Sequence, residues 1–266
     1  MSRRLVTGAV LAVLLAAGCQ HQGGDRLTIV ASTANVGAVI RAVGGDRVEC
    51  ITLAPAGMCP GHFDIRPSHV AAVARADLIV RQGWEDWFDG LARELPEPRA
   101  RVYTCSTGGN WMLPDVHRRA VGELTGLLAG LDSVAADTFR SRAAVYLARV
   151  DSAALLARAS FSGRVLPRAL AAEHQAPFLR WLGFRVVATY GRPEEFTASE
   201  LTRLASVGAD SAVGIVIDNL QSGPGAGRSL AEALHARHAD LTNFPLDADY
   251  PATLVENART LARLLE

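Results

Sequence analysis

The chain contains no lysine, and all 27 of its basic residues are arginine. Mechanisms that depend on a lysine Schiff base or a phosphate-loop lysine are therefore excluded. The formal net charge is zero, so no basic excess points to nucleic acid as a partner. No G-x-S-x-G elbow is present, which leaves Ser-His-Asp hydrolysis without support. What remains is a chain of 266 residues, 49% hydrophobic and 20% charged, a composition typical of a folded globular protein.

The N-terminus has the features of an export signal. Two arginines precede an apolar run over residues 5–17, which is shorter than the roughly 20 residues that a membrane span needs. Small residues then lead into Cys19, as in a bacterial lipobox, although Ala16 stands where leucine is usual. We expect a signal peptide over residues 1–18, lipidation of Cys19 and a polar tether over residues 19–26, with plain secretion as the alternative. Either route makes the mature protein extracytoplasmic, in a periplasm or at a cell surface, and lipidation would anchor it to a membrane.

Export also places the remaining cysteines where disulfides can persist. Without Cys19 they are Cys50, Cys59 and Cys105, an odd number. At least one of these thiols must therefore be free, a metal ligand, or paired with another molecule.

The apolar pattern predicts two α/β halves around a helical middle. Short β-prone runs alternate with helical stretches in the first half, and the same alternation resumes in the second. Between them, apolar residues recur only at helical spacing. The predicted fold class is α/β, with two parallel-sheet lobes joined by a long connecting helix. We assign residues 27–113 to the N-terminal lobe, 114–160 to the helical segment and 161–266 to the C-terminal lobe.

Residues that could carry chemistry follow the predicted strands in both halves, where α/β folds place binding groups. The proline- and glycine-rich loop after the second strand contains a thiol and an imidazole, and Glu173 and His174 follow a strand near residue 170. Further polar or thiol groups follow the other strands. Each signal is weak by itself, since such residues also occur in ordinary surface loops or cores. The candidate residues are Cys59, His62, Cys105, Glu173, His174, Asp218 and Asn243.

Four segments of the mature chain together resemble the metal-binding (cluster 9) solute-binding proteins of zinc and manganese ABC transporters. They are TIVASTANVGAVIRAVGGDRVE, PGHFDIRPSHVAAVARADLIVRQG, EHQAPFLRWLGFRVVATYG and DYPATLVENARTLARLLE. The resemblance implies a metal cleft between two lobes, with His62 and His174 as ligands from opposite sides. The family's second ligand is a histidine, and its position here is Gly109. Its fourth is usually an aspartate, and that position here is Asn243.

Other donors stand near the two weakened positions. Cys59 and Cys105 could replace the missing ligands, or they could form a disulfide that braces the two loops. Glu173 and Asp218 could add carboxylates. Thiolate and imidazole together favour zinc over manganese or another divalent transition metal.

The resemblance therefore implies a monomeric, non-enzymatic protein that captures a divalent cation and delivers it to a membrane permease. Three alternatives stay open. The chain could bind another solute or a metal chelate, it could be an adhesin-like lipoprotein with a vestigial site, or it could be a zinc hydrolase with Glu173 as base.

Overall fold

A computed structural model describes residues 26–58, 63–93, 101–223 and 225–266. The predicted signal peptide and three of the predicted site residues, Cys19, Cys59 and His62, lie outside these ranges. Within them, no helix has the length and apolar character needed to cross a membrane.

The first sheet has four parallel strands in the order β2-β1-β3-β4. Val30 of β1 lies opposite both Ile51 and Ile79, so this strand is paired on both edges. Helices between successive strands supply the crossovers that parallel pairing requires. The elements of this half are β1 (Leu27–Thr33), α1 (Ala34–Gly44), β2 (Val48–Ala54), α2 (Pro67–Arg75), β3 (Leu78–Arg81), α3 (Asp86–Arg93) and β4 (Arg101–Thr104).

The second sheet repeats this arrangement with the order β6-β5-β7-β8, again all parallel. The edge strand β8 pairs only with β7, and Asp218 lies opposite Asp240 in their register. The elements are β5 (Arg168–Ala172), α6 (Ala176–Leu182), β6 (Val186–Tyr190), α7 (Ala198–Asp210), β7 (Val213–Asn219), α8 (Ala226–Leu234), β8 (Arg237–Leu241) and α9 (Tyr250–Leu264).

Two helices lie between the sheets in sequence, α4 (Pro114–Leu131) and α5 (Ala136–Ala159). The 24 residues of α5 span about 36 Å. This helix packs against α1 and α4 of the first half and against α9 of the second. Its buried face is rich in small side chains, which allow the neighbouring helices to approach closely: Ala143, Ala153, Ala154 and Ala157. The predicted fold class, two parallel-sheet lobes joined by a long helix, is confirmed.

Some boundaries differ from the sequence-based expectation. The strand expected over residues 165–170 begins only at Arg168, because Pro167 precedes it and Val165 is fully exposed. Helix α2 begins at Pro67, and the ring of His69 accepts a hydrogen bond from the backbone N–H of Arg66 at 3.1 Å.

Candidate functional site

A cavity of about 300 Å³ lies between the two lobes, where the carboxyl ends of both sheets meet. Parallel strands gather the loops that follow them at one edge, so two facing sheets enclose a site with loops from both. The first lobe contributes polar and aromatic side chains: Asn35, Gln82, Trp84, Asn110 and Trp111. The second contributes mostly polar ones: Glu173, His174, Arg192, Asn219, Gln221, Ser222 and Asn243.

A fully buried carboxylate fixes the loop after β3. Glu85 accepts hydrogen bonds from the backbone N–H groups of Gln82 at 2.9 Å and Gly83 at 2.6 Å. It also accepts from the hydroxyl of Ser32 at the end of β1. These bonds tie the loop to the central strand and hold Gln82 and Trp84 at the cavity wall.

A second carboxylate fixes the loop after β4. Glu123 of α4 accepts from the backbone N–H groups of Ser106 at 2.5 Å and Thr107 at 2.9 Å, from the Thr107 hydroxyl and from Tyr103. Partial burial would raise the pKa of Glu123, but these donors outweigh it and lower the pKa to about 2. These charge-assisted hydrogen bonds therefore fix the start of the loop that carries Asn110.

Two hydrogen bonds between side-chain amides and main-chain carbonyls join the lobes at the cavity, among the described residues. The side-chain amide of Asn110 donates to the backbone carbonyl of His174 at 2.7 Å, while its oxygen accepts from Met112 N–H. On the other side of the cavity, Gln221 donates to the carbonyl of Ala56 at 2.7 Å. The cavity is therefore closed at two points by contacts between main chain and amide side chains.

His174 presents its ring to the cavity. Partial burial lowers the pKa of this imidazole, and the nearby Arg192 guanidinium lowers it further, while Glu173 and Glu195 act in the opposite direction. The ring is therefore neutral at physiological pH, which is the form that ligates a metal.

Two cavity-lining residues each have a buried amide oxygen without a hydrogen-bond partner in the described part of the chain. Asn35, in the first turn of α1, is 3% exposed, and its Oδ1 accepts no bond among the described residues. The same holds for Oδ1 of Asn243, which follows β8 and donates its backbone N–H to Gln221 at 3.0 Å. A buried acceptor without a donor is costly, so a cation or a donor in the cavity would relieve both oxygens.

Three of the predicted site residues are brought together here: Glu173, His174 and Asn243. Gly109, at the position of the family's second ligand, also lines the cavity, in a left-handed conformation with φ of 95°. Two other predicted ligands lie elsewhere, Cys105 and Asp218.

Cys105 lies in the hydrophobic core rather than in the cavity lining. It is a free thiol, 7% exposed, and packs among the core side chains beneath the loop. Burial, together with the charges of Glu123 and Glu85, raises its pKa to about 12, so it is protonated and not a ready ligand.

Asp218 also lies outside the lining, on the α8 side of β7. The predicted strand ended before this residue, but β7 continues to Asn219. Successive strand residues point to opposite faces, so Asn219 reaches the cavity and Asp218 does not.

The sequence reasoning did not identify Asn35, Gln82 or Arg192 as cavity residues, and it noted Gln221 only as one of several polar residues after a predicted strand. Each lies at or just after a strand end, which is the signal that could have found them. Their amide and guanidinium groups match no metal-ligand motif.

Comparison with known proteins identifies the kind of protein that this arrangement resembles. A family model described as "ZnuA: Zinc-uptake complex component A periplasmic" matches residues 29–264. The iron ABC transporter substrate-binding lipoprotein MtsA of Streptococcus pyogenes is 25% identical over 116 residues, which is 40% of this chain and only 37% of that protein.

Solved structures show the same fold. A crystal structure of ZnuA superposes with a TM-score of 0.76 at 19% identity, covering 90% of this chain and 99% of that one. A manganese-bound periplasmic metal-binding protein from Candidatus Liberibacter asiaticus gives a TM-score of 0.76 at 14% identity, covering 91% and 100%. A cadmium-bound structure of the same protein gives 0.78 at 14% identity, with the same coverage.

Proposed function

Because the chain belongs to the family of periplasmic zinc-uptake component A proteins, which bind substrates and are not enzymes, we propose that it captures a divalent cation for an ABC transporter. The cation is held in the cavity between the lobes and passed to a membrane permease. Zinc is the cargo that the donor chemistry and the description of the family favour. Among the relatives, MtsA is named for iron and the Liberibacter protein is seen with manganese and cadmium.

One observation carries this proposal. The neutral imidazole of His174 shares a cavity with Asn35 and Asn243, whose buried amide oxygens have no hydrogen-bond partner in the part of the chain that the structure describes. A divalent cation accepts electron pairs from imidazole and from amide oxygens, and imidazole with oxygen donors suits zinc. Glu173 lines the same cavity and supplies the charge that a cation requires.

The N-terminal lobe supplies the remaining ligand in this proposal. Ala56 lies at the cavity edge, where Gln221 binds its carbonyl, and residues 59–62 follow it closely in sequence. We assign the opposite imidazole to His62, with Cys59 as a possible thiolate beside it. A cation bound to both histidines would link the lobes.

The connecting helix limits how far the lobes move when the cation binds. Helix α5 packs against elements of both halves, and the Asn110 and Gln221 bonds already join them. Capture therefore requires small loop adjustments rather than a wide hinge motion. Lipidation at Cys19 would keep the loaded monomer next to its permease.

A second candidate cargo is a metal chelate that carries a carboxylate. The cavity also contains Arg192, whose positive charge opposes a bare cation but would bind a carboxylate. The amide groups of Asn219 and Gln221 offer further donors, although both already bind protein groups.

Metal content of the purified mature chain tests the proposal. We would compare wild type, His174→Ala and His62→Ala/His174→Ala after dialysis against zinc, by inductively coupled plasma mass spectrometry. His235→Ala is the matched control, since this histidine is exposed and lies outside the cavity. Each cleft variant should bind one zinc ion fewer than wild type, and the control should not change.

Equal zinc content in wild type and both cleft variants would overturn the proposal. If zinc binds only in the presence of citrate, and Arg192→Gln abolishes this binding, the cargo is a metal chelate and not the bare ion.

A further inference from the structure

A second group of metal-competent side chains lies on the other side of the second sheet. Asp218 of β7 and Asp240 of β8 are opposite each other in the parallel register, and His238 is two residues before Asp240. Strand side chains repeat every two residues, so all three point to the same face, towards α8. Their candidate ligand atoms all lie within 4.8 Å of one another.

Two members of this group are held in place by the fold. The side chains of Asp218 and His238 are 4% and 14% exposed, and His238 Nε2 lies 2.8 Å from Asp218 Oδ2. Asp218 Oδ1 also accepts from the hydroxyl of Tyr190 at 2.7 Å and from Gly227 N–H at 3.1 Å. Burial would raise the pKa of Asp218, but the hydrogen bonds from His238 and Tyr190 outweigh it, and the carboxylate stays ionised.

The third member provides independent evidence for a cation site. Asp240 Oδ1 is buried and has no hydrogen-bond partner among the described residues. No ion pair in the described part of the chain neutralises Asp240 either. Arg228 lines a cavity that Asp240 also lines, but it forms no such pair with Asp240. Burying a charged oxygen with neither a donor nor a counter-ion is unfavourable, and a bound cation would remove this cost.

The group is accessible from solvent. His238 and Asp240 line a cavity of about 610 Å³ at the edge of the sheet, together with Glu232 and His235 of the α8 end. It is separate from the cleft between the lobes, because Asn219, the next residue after Asp218, points to the opposite face and accepts from Gln175 at 2.9 Å.

We propose that Asp218, His238 and Asp240 form a second divalent-cation site of the zinc class, on the C-terminal lobe. Two carboxylates and one imidazole provide a nitrogen and oxygen donor set, and the open cavity leaves a position for water. This site does not depend on the proposed function of the cleft, because it shares no side chain with it.

Zinc titration of the full mature chain in the His174→Ala background tests this site, since that background removes the cleft ligand. Dialysis followed by mass spectrometry should show one remaining zinc ion per chain. Asp240→Asn preserves the shape of the side chain and removes its charge, and His238→Gln removes the imidazole. Each should weaken this zinc at least about tenfold, since loss of a supporting group alone commonly costs that much.

His235→Asn is the matched control, because His235 lines the same cavity but is not among the three clustered residues. Its zinc affinity should be unchanged, and circular dichroism should show that all variants are folded. Two results would overturn the site: no zinc beyond the cleft equivalent, or affinity that is the same in Asp240→Asn, His238→Gln and the parent. A loss in His235→Asn as large as in Asp240→Asn would also overturn this ligand set.

Discussion

A buried histidine at the junction of three helices should make the protein sensitive to mild acid. His117 of α4 is fully buried, its Nε2 lies 3.0 Å from the hydroxyl of Tyr146 on α5, and its ring stacks on Tyr250 of α9 at 3.6 Å. Burial lowers the pKa of this imidazole from 6.5 to about 3. The folded protein therefore keeps the ring neutral over a pH range in which the unfolded chain binds a proton.

The sign and size of the effect follow from this difference. Below pH 6.5 the unfolded state takes up a proton at His117 that the native state refuses, so acid favours unfolding. The free energy of unfolding should fall by up to about 1.4 kcal/mol per pH unit, or roughly 2 kcal/mol between about pH 7.5 and about pH 5. The loss would continue down to the folded pKa of about 3.

Urea denaturation followed by circular dichroism, at a series of pH values, measures this slope. His117→Gln should be less stable at neutral pH because it loses the ring stacking on Tyr250, but its stability should depend less on pH by the amount given above. His235→Gln is the control, since this histidine is exposed. An unchanged pH slope in His117→Gln would refute the reasoning.

Two further predictions concern the carboxylate of Glu123 and the buried thiols of Cys105 and Cys50. The hydrogen bonds to Glu123 lower the pKa of its carboxylate to about 2. Its contribution to stability should therefore be present above the ordinary pKa of 4.5 and lost as pH falls towards 2. Glu123→Gln should remove this part of the acid dependence in the same urea denaturation series. Burial raises the pKa of the Cys105 thiol to about 12 and that of the Cys50 thiol to about 11. At about pH 8, iodoacetamide should therefore label both thiols much more slowly in the native protein than in urea, which mass spectrometry of peptides would measure. Rapid labelling of Cys105 in the native protein would contradict its position in the core.

Most of the fold could be predicted from the sequence because its strands are apolar and buried. Runs such as LTIVA and GIVI are short, apolar and rich in β-branched residues, which is typical of the central strands of a parallel sheet. Strands β4 and β8 were missed because their sequences, RVYT and RHADL, are short and polar, as edge strands often are.

The site could be predicted only in part, for two physical reasons. His174 was found because it follows a predicted strand, and Asn243 because it stands at the position of the family's fourth ligand. A residue in a loop after a strand can turn towards the cavity, whereas a residue within the strand is fixed on one face of the sheet. Strand β7 continues for two residues beyond the GIVI run, to Asn219, so Asp218 is fixed on the face away from the cavity. Amides such as Asn35 and Gln221 have no ligand-like spacing, so only the folded chain shows that they converge with Arg192.

Two consecutive residues of strand β7 point to the two sites, one on each face of the sheet. Asp218 faces α8 and the neighbouring Asn219 faces Gln175 beneath the cleft. A shift of this strand by a fraction of an ångström would move both side chains at once, one on each face of the sheet. If cations bind both in the cleft and at the Asp218–His238–Asp240 site, thermodynamic linkage applies to their affinities. The factor by which one cation changes the affinity of the other must be the same in both directions. Any factor other than one would make the affinity of the cleft depend on the metal concentration at the second site.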